Sequence, residues 1–113
     1  MAKGSLEVVK GTLELIVLTT LGRGEAMHGF EILDWLREAT EDELVVEEGS
    51  LYPALHRMEK RGWISGEWAV SSKGRRARYY RISGEGRRAL AQEKETWRRY
   101  TRAVAQVAEA AGG

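Results

Sequence analysis

The sequence predicts a mostly α-helical fold that carries one small β-hairpin and ends in a long C-terminal helix. Three observations predict it. Apolar residues recur at helical spacing in four separate stretches, over 13–21, 30–36, 51–58 and 90–107. Two aromatic-rich runs, 63–70 and 75–82, flank a Ser-Ser-Lys-Gly turn, the pattern of a hairpin. Charge is segregated along the chain although the total is only +1. Residues 73–88 hold seven basic side chains against Glu85 alone, whereas 25–48 hold nine acids against Arg37. Such segregation is expected when one end of a molecule faces phosphate and the other does not.

With 113 residues the chain has room for one compact domain plus an extra helix, which we divide as 1–83 and 84–113. It has no cysteine, so disulfides, thiolate zinc sites and a cysteine nucleophile are excluded. No apolar run approaches the ~18–20 residues that span a bilayer. Residues 1–7 lack the apolar core of a signal peptide. The expected setting is the cytoplasm, with no membrane partner.

In chain order, residues 1–10 read as a loose arm. Thr12 caps a predicted helix through Leu13, Val17, Leu18 and Leu21, which Gly22-Arg23-Gly24 ends. Its apolar positions run nearly all the way round, more than one small core is expected to cover, and this predicts a second chain against it. A second helix is predicted from about His28 to Ala39, with Phe30, Leu33 and Leu36 inward and His28 as a capping or core histidine rather than a metal ligand. Leu44-Val45-Val46 forms a short extended anchor within the acidic connection at 40–49.

The stretch 50–61 is the centre of the reading. Ser50 is the expected N-cap, Pro53 falls in the first turn, and Gly62 sits where a left-handed stop belongs. Leu51, Ala54, Leu55 and Met58 share one face. Pro53, His56, Arg57 and Lys60 take the other, with Tyr52 on the flank. A short helix with a basic, aromatic-edged face has the shape to enter a DNA major groove. Ser50, Tyr52, Pro53, His56, Arg57 and Lys60 are therefore the expected base-side residues. The hairpin that follows crowds Lys73, Arg75, Arg76 and Arg78 near its tip, the arrangement of a wing that holds the phosphate backbone.

From Ser83 the chain reads helical to about Ala110. Leu90, Trp97 and Val104 recur every seven residues, and Tyr100 and Val107 fall between them. No later element is available to cover this seam. Together with Leu13 and Val17 of the first helix it predicts a homodimer.

The run Gly49-Ser50-Leu51-Tyr52-Pro53-Ala54-Leu55-His56-Arg57-Met58-Glu59 with Gly62 resembles the recognition-helix signature of the PadR family of bacterial transcriptional regulators. The resemblance extends to Gly74-Arg75-Arg76, Tyr79-Tyr80-Arg81-Ile82-Ser83 and His28-Gly29-Phe30, with Ser83 where Thr is usual and Phe30 for the usual Tyr. It covers nearly the whole chain. It implies a winged helix-turn-helix with a single C-terminal dimerisation helix, as in the short-tailed branch of that family. It also implies a repressor of transcription that binds double-stranded operator DNA as a homodimer.

No constellation of residues points to an enzyme. His28 and His56 lie on different helices, and Gly22-Arg23-Gly24 and Gly84-Glu85-Gly86 lack the strand-turn-helix setting of a phosphate loop. We expect no cofactor and no metal. Two other readings stay open: a winged helix used for protein–protein assembly, and a sensor that holds a small aromatic effector against Trp97 and Tyr100.

Overall fold

The computed structural model describes Leu6 and residues 11–112. The arm expected over 1–10 lies, Leu6 apart, outside the described residues. The elements run α1 (Leu13–Leu21), α2 (Gly29–Ala39), α3 (Glu48–Lys60), β1 (Ile64–Val70), β2 (Arg76–Ile82) and α4 (Gly84–Ala110). This is a winged helix-turn-helix followed by one long helix, as the sequence predicts.

At the centre lies α1. Val17, Leu18 and Leu21 are completely buried, and Thr20 satisfies its hydroxyl by donating to Ile16 O at 2.8 Å. Much of the apolar surface of α1 is covered within this chain, while Leu13, Leu15 and Ile16 stay half-buried. α2, α3, β2 and α4 all pack on it. Val17 accordingly has no surface left for a second chain, and its place in the predicted dimer seam is corrected. Leu13 and Leu90 are likewise partly buried against the chain's own core.

Of the two roles expected for His28, the structure shows the cap of α2. Its Nδ1 accepts from the Glu31 amide at 3.3 Å, while the Glu31 carboxylate accepts from the His28 amide at 3.1 Å, a reciprocal capping box. Ile32 and Leu36 form the buried face, with Leu33 and Trp35 beside them. Phe30 is not inward but 56 % exposed. Residues two apart point to nearly opposite sides of a helix, so an inward Ile32 turns Phe30 out. In the connection before α3, Leu44 bridges Leu6 and Val46 is buried, which bears out the short extended anchor.

α3 begins earlier than its sequence signals imply. Glu47 takes the N-cap position and Ser50 lies inside the first turn. Pro53 is therefore well within the helix, where it removes the bond to the Gly49 carbonyl. Gly49 is exposed, so water can serve that carbonyl. The end is as expected. Gly62 has φ 79°, Trp63 N donates to Met58 O at 3.0 Å, and Gly62 N donates to Glu59 O at 3.0 Å. That pair of bonds is the Schellman stop.

The hairpin pairs Ile64 with Ile82 through to Val70 with Arg76. Met27 adds a short third strand, exchanging two backbone bonds with Tyr80 at 3.1 and 2.9 Å. Ile64, Tyr80 and Ile82 share one face and seat the hairpin's base on the helices. Ser83 then caps α4. Its Oγ accepts from Gly86 N at 3.0 Å and donates to Gly62 O at 2.5 Å. Ser83 thus ties the start of α4 to the stop of α3.

Candidate nucleic-acid interface

Leu51, Ala54, Leu55 and Met58 are all completely buried, so the inward face of α3 is the predicted one. Each large apolar side chain there contributes on the order of 1.5–3 kcal/mol. That burial fixes which face is left to solvent. Ser50, Tyr52, Pro53, His56, Arg57 and Lys60 are all exposed on α3.

Two of these six have other commitments. Arg57 Nη2 lies 3.2 Å from Glu14 Oε2 on α1, an ion pair at one margin of the face. Tyr52, at the opposite margin, is 40 % exposed and lays its ring over Gly29, the first residue of α2. A Cβ at position 29 would collide with that ring. Burial holds the Tyr52 hydroxyl above its ordinary pKa, and the charge of Glu48 and then Tyr80 add to this. Its hydroxyl therefore stays protonated and able to donate at neutral pH. Pro53, His56 and Lys60 remain as the central strip, with Ser50 exposed beyond Arg57 in the first turn.

The wing supplies the positive charge. Lys73, Arg75 and Arg76 are exposed around the turn, which Ser71 closes by donating to Arg75 O at 2.7 Å. Arg78 behaves differently from the expectation. Its Nη2 lies 2.5 Å from Glu59 Oε2 of α3, and both side chains are 30 % exposed. Counting at 3.6 residues per turn puts Glu59 on the Tyr52–His56 side of α3, opposite Arg57. Arg78 therefore braces the wing against that side of the helix, and its charge is matched before any phosphate approaches.

Sequence reasoning missed Glu14, Glu59 and Gly29. The two acids are partners across 43 and 19 residues of chain, separations with no local pattern. Gly29 carried a signal, since glycine is a poor helix former and one at the first position of a capped helix has some other reason to be there.

On α4, Trp97, Tyr100, Val104 and Val107 are 38, 58, 48 and 69 % exposed, one continuous apolar stripe. Trp97 and Tyr100 stack with ring centroids 6.3 Å apart. Two surface grooves, of about 310 and 290 Å³, lie along the outer face of the wing and along α2. Neither reaches Trp97 or Tyr100. Among the described residues no three His, Cys, Asp or Glu side chains group as metal ligands, and no helix is long and apolar enough to cross a membrane.

A helix held with one face bare beside a basic hairpin defines the class of winged helix-turn-helix regulators. The family follows from comparison. The sequence model of the PadR-like transcriptional regulators matches residues 17–92, and the chain belongs to that family. A transcriptional regulator of Clostridium thermocellum is similar over 86 % of this chain and 93 % of its own, at 32 % identity and a TM-score of 0.78. A PadR-like regulator of Bacillus cereus gives 33 % and 0.71 over 87 % and 92 %. A PadR family regulator of Clostridium difficile gives 30 % and 0.72 over 86 % and 98 %. An uncharacterised Lysinibacillus sphaericus protein is 26 % identical over 91 residues, 80 % of this chain and 83 % of that one. The stripe from Trp97 onward lies beyond the residues the family model matches.

Proposed function

We propose that this chain is a cytoplasmic, sequence-specific DNA-binding regulator that works as a homodimer and represses by occluding a promoter. One observation carries the reading. Ser50, Pro53, His56 and Lys60 stand exposed on α3, and Lys73, Arg75 and Arg76 stand exposed on the wing, which Arg78 braces against Glu59 of α3. Side chains on such a strip reach base edges in a major groove, while the wing guanidiniums meet phosphate oxygens that carry no sequence information. Dimerisation rests on the α4 stripe, since an exposed apolar band of this length marks a contact surface.

Titration of a selected duplex and a scrambled one tests the division of labour. His56→Ala is expected to cost on the order of 1–3 kcal/mol on the selected duplex and much less on the scrambled one. Arg75→Ala is expected to weaken both by similar factors and to lower the log–log salt slope by about one unit. Equal losses on both duplexes from both variants would mean that α3 is not the reader. Weak binding with no sequence preference by the unaltered chain would favour a protein–protein module.

A further inference from the structure

The acids at 25–48 take no part in the proposed DNA contacts, and on the folded chain they gather along α2. Glu31, Asp34 and Glu38 are exposed there and lie within about 60° of one another around the helix. With Glu25 from the preceding turn they line the groove of about 290 Å³ along α2, which Trp35 also lines. Arg37, the only base of α2, is turned about 100° from Glu38. The groove already holds one guanidinium. Arg23, just after α1, places its guanidinium carbon 4.4 Å from the Trp35 ring centre and its Nη2 3.4 Å from Glu25 Oε1. The groove thus suits arginine, and one arginine does not fill it. Among the described residues Asp34 and Glu38 have no basic partner.

α4 carries the opposite charge at the far end of the chain. Arg98, Arg99 and Arg102 crowd together there, turned roughly 120–180° from the middle of the Trp97–Val107 stripe. Residues 94–112 are exposed throughout, so no other element of this chain covers them. Among the described residues Arg99 and Arg102 have no acidic partner. Arg98 has Glu95 at 3.7 Å, but with those side chains 63 and 62 % exposed the pair is worth little. A dimer closed along the stripe leaves these guanidiniums on its outer side. Asp34 and Glu38 are four residues apart, and so are Arg98 and Arg102, about 6 Å along each helix. The two faces therefore match in sign and in spacing, and neither attracts a copy of itself.

We propose that the acidic face of α2 docks on the basic face of α4 in a second copy of this chain, so that neighbouring dimers associate side by side. The inference rests on the α4 stripe being the dimer seam. A second copy is the occupant because every copy carries both faces and cannot bring them together within itself. The contact joins two different patches, so it repeats from one dimer to the next. Each pair of exposed charges is weak and screened by salt. The contact therefore counts most when two dimers occupy adjacent sites on one duplex, which raises their effective concentration to about millimolar. Occupation of one site then favours occupation of the next.

Sedimentation of the nucleic-acid-free chain at about 1 mM, the concentration that such adjacency supplies, tests the contact. It is run at roughly 0.01 M and 1 M salt, where charges are felt over about 30 and 3 Å. The unaltered chain is expected to shift from dimers to species of twice that mass or more at low salt, and to return to dimers at high salt. Arg98→Glu with Arg102→Glu should stay dimeric at both, as should Asp34→Arg with Glu38→Arg, because each then carries two faces of one sign. Mixed in equal amounts, the two variants should regain the larger species, since each supplies the face the other lacks. An unaltered chain that stays dimeric at low salt would overturn the proposal and leave the dimer reading standing. Growth that either reversal leaves intact, or a mixture that stays dimeric, would also overturn it. If the unaltered chain does not grow and Arg98→Glu with Arg102→Glu loses affinity for a long duplex, the α4 face belongs to DNA instead. A chain monomeric at both salts contradicts the dimer reading itself, and this proposal falls with it.

Discussion

Tyr52 and Gly29 show what single residues decide in this molecule. Tyr52 sits at the margin of the exposed face of α3 because its ring has somewhere to lie, and that place exists only because residue 29 has no Cβ. Gly29→Ala should force the ring off α2 and destabilise the fold by about 1–3 kcal/mol, as overpacking does. Thermal melts would show it, and Gly29→Ala combined with Tyr52→Ala should recover part of the loss. A melt unchanged by Gly29→Ala would contradict the packing described. Residue roles that depend on local spacing were legible in the sequence. His28 as a cap, Gly62 as a stop and the four inward residues of α3 are where pattern places them. Ser50 was not, because a serine preceding an apolar run looks like a cap wherever the helix truly starts. Arg78 was not either, since only the folded hairpin brings it to Glu59.

Among the elements, α1 and α4 reverse the emphasis of the sequence. Much of the nearly all-round apolar pattern of α1 reflects its place in the middle of four other elements. A sequence window cannot separate this cause from a partner chain, because both demand the same hydrophobic periodicity. The seam of α4 divides at about residue 93. Ala89 and Leu90 pack on the chain's own core, and Trp97 to Val107 stand open. If the open part is the dimer contact, Trp97→Ala should weaken association by about 3–5 kcal/mol, the usual loss when a buried Trp is truncated. Val104→Asp should abolish it by burying a charge without a partner. Sedimentation at matched concentrations checks both, and an intact dimer in either variant would place the interface elsewhere.

At the scale of the whole molecule, the joint at Ser83 links the parts. Ser83 Oγ donates to the Gly62 carbonyl at the stop of α3 while it caps α4, and Arg87 Nη1 donates to the Gly22 carbonyl of α1 at 3.4 Å. The direction in which α4 leaves is therefore set against the end of α3. A dimer formed along α4 would hold two copies of α3 at one fixed separation. The most direct measurement is selection of DNA fragments from a random pool by the purified chain, with the salt dependence of binding recorded. The account predicts a two-fold symmetric sequence whose half-sites lie about one helical turn (~34 Å), or a multiple of it, apart. Selection of no shared sequence, or of a single site without a symmetric partner, would contradict it.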